Sequence, residues 1–156
     1  MRKMTKIEAI LWSVALPGFG QILRGQYFTG TLFIFLEFLI NVNSHFNLAI
    51  MHSFLWEIDE AIAVIDYQWL MFYPCLYMFA MWDAYRYAMP NKEKLSFLPF
   101  VFGAYFVTVG LMYSTELKVF NILFGPVFLP MMFLPLGLMV GFLIRMVLIR
   151  NEKVHS

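Results

Sequence analysis

Glu37 is the residue whose surroundings point most directly to chemistry, because it interrupts the long apolar run Tyr27–Asn43. A carboxyl group at membrane depth is costly when it faces lipid, and such groups commonly handle protons or cations. Asn41 follows one helical turn later and can hydrogen-bond to it. Glu37 and Asn41 are therefore candidate functional residues, and the alternative is a structural hydrogen bond with Asn41 or with another helix.

Asp83 and Arg86 form a second candidate set at the end of another apolar run. Their spacing of three residues places them one helical turn apart, where a carboxylate and a guanidinium can pair. Arg145 is expected to join this pair or to extend towards lipid headgroups. A structural ion pair is the first interpretation, and a site for lipid headgroups between these cations is the alternative.

Metal-binding residue types recur every seven residues in one segment: His45, His52, Asp59 and Asp66. Seven helical residues rise about 10 Å, whereas zinc–ligand bonds are about 2 Å long. The segment therefore predicts a solvated polar seam, with no metal and no cofactor.

No histidine forms a motif with a serine or with the single cysteine, Cys75, which is expected to fill space in the apolar core. We predict no catalytic residues and a protein that is not an enzyme.

The elements that position these residues are four long apolar runs separated by short polar segments. The runs are Tyr27–Asn43, Tyr67–Trp82, Leu95–Tyr113 and Met131–Ile149. Each is close to the roughly 20 residues that cross a bilayer as a helix. With 62% hydrophobic and 13% charged residues, the chain (1–156) is predicted to be one all-α membrane domain, a bundle of four transmembrane helices. The net charge of +1 gives no reason to expect nucleic-acid binding.

The distribution of basic residues predicts the orientation. With both termini and the segment 85–94 in the cytoplasm, 10 of the 11 basic residues fall on the cytoplasmic side, and Lys118 alone falls outside. The ten are Arg2, Lys3, Lys6, Arg24, Arg86, Lys92, Lys94, Arg145, Arg150 and Lys153. The chain is therefore predicted to be a multi-pass protein of the cytoplasmic membrane.

Two apolar pieces are too short to be full spans. The ten residues Ile7–Leu16 reach about half a crossing, so they predict an interfacial or re-entrant helix unless the helix continues past Pro17. At the other end, prolines interrupt the apolar stretch Val119–Ile149 at positions 126, 130 and 135. Because proline removes an amide donor and clashes with the preceding turn, we predict an outer interfacial segment, Val119–Phe128, followed by a separate span.

The outer loop 46–65 carries an apolar stripe at alternating spacings of three and four: Leu48, Met51, Leu55, Ile58, Ile62 and Ile65. This periodicity predicts one amphipathic helix, with Glu57 and Glu60 towards water. The helix is expected to cap the bundle or lie on the outer bilayer surface, and the alternative is a helix that docks a partner.

Residues 17–26 form a glycine loop that contains Gly18, Gly20 and Gly25, and Gly30 follows it; these four glycines are candidate functional residues. Glycine permits tight turns and close approach of backbones. Gln21 and Gln26 are expected to hydrogen-bond carbonyl groups that a broken helix exposes. The loop is not a phosphate-binding P-loop, because it lacks the terminal Gly-Lys-Ser/Thr.

The string Pro17-Gly18-Phe19-Gly20-Gln21, followed by Gly25-Gln26-Tyr27-Phe28-Thr29-Gly30, resembles the glycine-loop hairpin of the two-transmembrane domain family and its bacterial relatives. The resemblance covers Ile7–Asn43, about a quarter of the chain; it lacks the family's histidine or arginine before the aromatic pair, and its first segment is short. Trp82-Asp83-Ala84-Tyr85-Arg86 is similar to a segment of some uncharacterised bacterial membrane proteins with this loop. The resemblance implies a bacterial cytoplasmic membrane protein and no particular activity.

Gly137 and Gly141 form a small-residue motif in the last run, and Gly103 and Gly110 share a face of the third. Both patterns favour close helix contact, within the chain or between copies in a homo-oligomer. The leading hypothesis is a small non-enzymatic accessory or assembly subunit whose partners are the bilayer and another membrane protein or further copies of itself. The alternative is an oligomeric transporter or channel with Glu37 in the membrane path.

Overall fold

The computed structural model describes residues 4–89 and 93–154, and over these residues the predicted all-α class is confirmed, with 76% of the chain helical. The helices are α1 Lys6–Ala15, α2 Phe19–Leu23, α3 Tyr27–Ser44, α4 Phe46–Phe54, α5 Ile58–Val64, α6 Tyr67–Leu70, α7 Tyr73–Tyr87, α8 Leu98–Met112 and α9 Gly125–Val154. A short antiparallel hairpin pairs β1 Lys118–Val119 with β2 Ile122–Leu123. Of the basic residues counted for orientation, Arg2, Lys3 and Lys92 lie outside the described residues.

Local signals set several helix ends. The Thr5 side chain accepts a hydrogen bond from the Glu8 amide and caps α1. Asp66 caps α6 by accepting from the Gln68 and Trp69 amides. Pro74 lies in the first turn of α7, where its missing amide costs nothing, so the helix begins at Tyr73 and not at Tyr67 as the apolar run suggested.

Among the described residues, the α8–α9 pair makes the most extensive contact between helices, and glycines make it possible. A Cβ atom on Gly137 would lie 2.5 Å from the Phe102 carbonyl oxygen, and one on Gly141 would lie 2.6 Å from the Leu98 carbonyl oxygen. A Cβ on Gly110 would lie 2.8 Å from the Pro130 Cα. These glycines therefore serve packing within the chain, which was the first interpretation of the small-residue motif.

The predicted break of the last apolar stretch at its prolines is wrong. One helix, α9, runs from Gly125 to Val154, with Pro130 and Pro135 inside it, and the segment 119–128 is divided between the hairpin and the start of this helix. Each interior proline removes one amide donor, and a transmembrane helix tolerates this where neighbouring groups satisfy the freed backbone carbonyls. Gly110 has no side chain, so Pro130 can approach α8 closely at this position.

The predicted single amphipathic helix over 46–65 is also wrong. The chain breaks between α4 and α5, where Trp56 adopts a left-handed conformation with φ of 64°. The break turns the two helices independently, so α4 buries Ala49 and Ser53 and leaves Met51 and Leu55 exposed. In α5 the predicted apolar face agrees better with the observed burial, because Ile58 is buried.

Among the described residues, one helix is long and apolar enough to cross a membrane by itself, over Gly125–Asn151 with a mean hydropathy of 2.3. Helices α3 and α4 together also satisfy these criteria but are bent by 66° at their junction. The apolar helix α8 is shorter, with 15 residues.

The N-terminal helices α1 and α2 pack on α7 and α3, and Ala9 and Ala84 are fully buried where α1 meets α7.

Candidate functional site

The predicted glycine loop folds against the beginning of α3. Gly18 has φ of 96°, and a Cβ there would lie 2.3 Å from the Gly30 carbonyl oxygen. A Cβ on Gly30 would in turn lie 2.5 Å from the Ile22 Cγ1. Gly20 faces Ser13 and Ala84, and Gly25 supplies a turn with φ of 81°. The loop therefore needs glycine both for its backbone conformation and for its close contacts.

This packing carries Gln21 into the interior, where it contacts α7. The side chain is fully buried, and its Nε2 donates to the Ala80 carbonyl oxygen at 2.9 Å and to Asp83 Oδ2 at 3.2 Å. Gln21 thus bonds a carbonyl inside the unbroken helix α7, about 60 residues later in the chain, and not one that a broken helix exposes, as was predicted. Within the described part of the chain, Gln21 Oε1 and Gln26 Oε1 are buried without a hydrogen-bond partner.

Asp83 of α7 interacts with two cations, Arg86 of the same helix and Arg24 of the glycine loop. The predicted pair is present, because Arg86 Nη2 lies 3.4 Å from Asp83 Oδ1. Arg24 Nη1 donates to the Ala84 carbonyl oxygen at 3.1 Å. Burial lowers the pKa of the Arg24 guanidinium, and the nearby Asp83 carboxylate opposes that shift. Gln21, Arg24, Asp83 and Arg86 are called the glycine-loop cluster below.

Aromatic rings surround the two guanidinium groups of this cluster. Arg24 and Arg86 each lie 4.9 Å from the centre of the Tyr87 ring, and Arg86 also lies 4.7 Å from the Trp82 ring. Such cation–π contacts orient a guanidinium while leaving its edge open to other partners. The Arg86 side chain is 40% exposed, so part of it reaches the surface.

Glu37 lies in a separate group of polar side chains, the Glu37 cluster, formed with Asn41, Asn47 and Tyr73. Asn41 Nδ2 lies 3.5 Å from Glu37 Oε1, so the predicted bond one turn apart is present, although long. The Tyr73 hydroxyl donates to the same oxygen at 3.4 Å, and Asn41 donates to Asn47 Oδ1 at 3.2 Å. Tyr73 was missed because the contact depends on the packing of α3 against α7.

Glu93 organises a third group that sequence patterns did not indicate. It pairs with Lys6 and accepts from Arg145 Nη2 at 2.9 Å, and the Tyr85 hydroxyl lies 3.4 Å from its Oε2. The expectation that Arg145 joins Asp83 and Arg86 is wrong, because the packing of α9 on α8 brings it to Glu93 and the Lys94 carbonyl oxygen. Lys6, Glu93 and Arg145 form the Glu93 cluster, which connects α1 to α9.

The hydrogen bond between Lys6 and Glu93 shifts both groups in the directions expected of an ion pair. It raises the pKa of the Lys6 ammonium, and it lowers the pKa of the Glu93 carboxyl, to which Arg145 also contributes. Both side chains remain about one third exposed, at 37% for Lys6 and 30% for Glu93. Water therefore screens the pair, and its effect on stability is modest.

Replacing Glu93 by glutamine is expected to lower the thermal unfolding midpoint modestly at neutral pH, because Lys6 and Arg145 lose their anionic partner. The carboxylate stabilises the fold above its ordinary pKa of 4.5, and this contribution is lost as the pH falls through the depressed folded-state pKa. The Lys6 contribution is present below its ordinary pKa of 10.5 and is lost as the pH rises through the raised folded-state pKa. The measurement is thermal unfolding of both proteins in detergent across this pH range.

Glu116→Gln provides the control, because it removes the same charge from an exposed position. The difference between wild type and the Glu93 variant should be largest between pH 4.5 and 10.5 and should disappear in acid. An equal shift in both variants, or a difference that does not depend on pH, would contradict the role assigned to Glu93.

Three residues of the heptad-spaced polar seam have separate local roles. His52 Nδ1 lies 2.7 Å from Glu57 Oε2, Asp66 caps α6, and His45 forms the left-handed junction between α3 and α4. In residues 4–89 and 93–154, no three histidine, cysteine, aspartate or glutamate side chains come together as metal ligands.

Two apolar cavities accompany these polar clusters. The larger, the α7–α8 groove, has a volume of about 830 Å³. It opens to the surface between Cys75, Phe79 and Trp82 of α7 and, on the other side, Val101 of α8 and Phe97 just before α8. Cys75 is exposed in this groove, so the expectation that it fills space in the core is wrong. The smaller cavity, of about 400 Å³, lies between α4, α7, α8 and α9 and is also lined mainly by apolar side chains.

The chain was compared with protein-family models, with curated proteins and with solved structures, and none of the three comparisons finds a match.

Proposed function

We propose that this chain is a multi-pass protein of the bacterial cytoplasmic membrane that acts as a non-enzymatic accessory or assembly subunit of a larger membrane system. The observation that carries the membrane part is the apolar surface that surrounds the long helices. Large side chains are exposed on each of them, including Phe28 (84%), Phe38 (64%), Phe79 (53%), Tyr105 (64%) and Met131 (58%). A protein surrounded by water rarely exposes so many large apolar side chains.

In this proposal four segments cross the bilayer: α3, α6 with α7, α8, and α9. Helices α7 and α8 have 15 residues each, or about 22 Å of rise, so their flanking turns must complete the crossing or the bilayer must thin locally. Helix α9 has 30 residues and extends beyond the hydrocarbon layer. The short helices α1 and α2 return on the side where they begin, as an interfacial or re-entrant unit.

The clustering of basic side chains supports the proposed orientation. Lys6 and Arg145 meet at Glu93, and Arg24 and Arg86 meet around Asp83. The Tyr85 ring lies 5.5 Å from Lys6 and follows Asp83 on α7, so both clusters lie at the same end of the bundle. Cations at one end of a bundle are typical of the cytoplasmic side.

The non-enzymatic part of the proposal is supported by the way in which polar groups bond to one another. Glu37 contacts Asn41 and Tyr73, and Asp83 contacts Gln21 and Arg86. The two cavities described above are lined mainly by apolar groups, whereas an ion path requires charged or carbonyl ligands along its length. The geometry therefore favours a structural role over the oligomeric transporter or channel.

The resemblance of the glycine loop to the two-transmembrane domain family supports a bacterial origin within this proposal. The loop has a structural use, because Gly18, Gly20 and Gly30 allow α2 to pack between α1, α3 and α7. The proposed role of the loop is to hold this re-entrant unit on the cytoplasmic end of α7.

The test is carbonate extraction of native membranes, followed by gentle affinity purification and native mass spectrometry. We expect the chain to stay in the membrane fraction and to purify with a second protein in fixed stoichiometry. Release from membranes by carbonate would contradict the membrane assignment. A closed homo-oligomer without a second protein would contradict the accessory role and favour the channel alternative.

Glu37→Gln separates the structural role from the channel. Glutamine keeps an oxygen that accepts hydrogen bonds from Tyr73 and Asn41, so we expect the variant to assemble as wild type does. We also expect proton and cation flux in liposomes to be at the background level for both proteins. Glu60→Gln, at an exposed position of α5, is the matched control. Flux that is present in wild type and in the control but lost in the Glu37 variant would contradict the structural role.

A further inference from the structure

The α7–α8 groove has the dimensions and lining of a site for a hydrocarbon chain. Its volume of about 830 Å³ is within the range of small-molecule sites. Its walls are formed by apolar side chains, and the Thr108 hydroxyl at one end donates to the Ala104 carbonyl oxygen at 2.9 Å. A ligand in this groove therefore finds dispersion contacts and little hydrogen bonding, which suits an acyl chain and not a polar metabolite.

The cytoplasmic end of the groove carries a positive charge. Cys75, Phe79, Trp82 and Arg86 follow one face of α7 at spacings of three and four residues, so Arg86 continues the line of the groove by one turn. Its guanidinium lies 4.7 Å from the Trp82 ring that lines the groove. Asp83 accepts one of its five N–H groups at 3.4 Å, and the side chain is 40% exposed.

An apolar groove that ends at an exposed guanidinium is complementary to an amphiphile with an anionic headgroup. We propose that the α7–α8 groove binds one acyl chain of an anionic phospholipid whose phosphate group contacts Arg86. This inference rests on the proposed membrane location. Arg86, held by Trp82, Tyr87 and Asp83, is oriented to form charge-assisted hydrogen bonds with phosphate oxygens. A zwitterionic lipid has the same chains but no net negative charge, so it should bind more weakly.

The first test is native mass spectrometry of the detergent-purified protein, titrated with phosphatidylglycerol or with phosphatidylcholine of the same acyl chains. We expect phosphatidylglycerol to be retained more strongly, and Arg86→Gln to weaken its binding about fivefold while changing phosphatidylcholine binding little. Arg150→Gln, which removes the same charge from an exposed position of α9, should bind phosphatidylglycerol as wild type does. Equal losses in both variants would overturn the proposal.

The single cysteine allows the apolar part of the site to be tested without a mutation. Cys75 is exposed in the groove, so a benzyl group attached to it through a disulfide should occupy the space of the acyl chain. We expect phosphatidylglycerol binding to fall on modification and to return after reduction. Unchanged binding in the modified protein would place the lipid elsewhere and overturn the proposal.

These results distinguish the lipid site from the proposed function. A chain that resists carbonate extraction but shows no preference for phosphatidylglycerol refutes the lipid site alone. A chain that is released by carbonate refutes the membrane location and the lipid site with it. If a photoreactive group on Cys75 crosslinks to another polypeptide in native membranes and not to lipid, the groove is a protein interface and the lipid proposal is overturned.

Discussion

Replacing Gly137 by leucine should lower the free energy of unfolding of the detergent-solubilised protein by about 3 kcal/mol. The Cβ atom alone would lie 2.5 Å from the Phe102 carbonyl oxygen and 2.8 Å from the Phe106 Cβ, and neither neighbour is the mobile end of a side chain. The two helices must therefore separate, and contacts along the α8–α9 interface are lost. Unfolding in a denaturing detergent, followed by circular dichroism, measures the change.

Gly137→Ala tests the sign of the change in the free energy of unfolding, which we expect to fall in this variant too. In an exposed helix, glycine to alanine stabilises by up to about 1 kcal/mol, so packing must reverse the intrinsic preference if α8 and α9 are as close as described. Ala63→Leu, at an exposed position of α5, controls for added side-chain volume and should change stability little. Unchanged or increased stability of both Gly137 variants would show that α9 does not pack against α8 at this position.

Replacing Asp83 by alanine should lower the free energy of unfolding by about 2–3 kcal/mol. Asp83 is 7% exposed and accepts hydrogen bonds from the fully buried Gln21 and from Arg86. Its removal leaves a buried amide group and a guanidinium without their shared acceptor. The loss should appear first as detachment of the glycine loop, because Gln21 and Arg24 join that loop to α7.

Limited proteolysis within residues 17–26, together with denaturant unfolding, measures these two effects of Asp83→Ala. Asp59→Ala removes an exposed carboxylate from α5 and should leave both unchanged. Asp83→Asn keeps an oxygen for Gln21 and should be less destabilising than alanine. If Asp83→Ala and Asp59→Ala have the same effect, the glycine-loop cluster does not hold the loop in place.

The elements that could be predicted are those whose signals lie within a few residues of each other. Helix α3 begins at Tyr27 as predicted and ends at Ser44, one residue beyond the apolar run, and α1 is displaced by one residue from its predicted bounds. The pair Asp83–Arg86 follows from helical spacing alone. The glycines of the loop also predicted the close approach of its backbone to neighbouring segments, because few other residues permit such backbone conformations.

The faces of the helices were harder to predict, for a physical reason visible in the core. Five alanines are fully buried, Ala9, Ala49, Ala61, Ala80 and Ala84, while many large apolar side chains point outward. When the interior and the exterior are both apolar, hydrophobic periodicity does not indicate which face is inside. The prediction that Cys75 is buried was wrong for this reason, whereas the apolar stripe over residues 46–65 was wrong because the chain breaks at Trp56.

The amino-acid sequence by itself determined that the chain is helical, rich in apolar surface and turned sharply by glycines at residues 17–26, because these properties depend on composition and on local backbone preference. Only the tertiary structure decided which polar groups meet between different helices. Gln21 reaches Asp83, Tyr73 reaches Glu37, and Glu93 reaches Arg145 across long separations in the chain. Such contacts depend on how closely helices approach, and the small residues and prolines along α7, α8 and α9 set that distance.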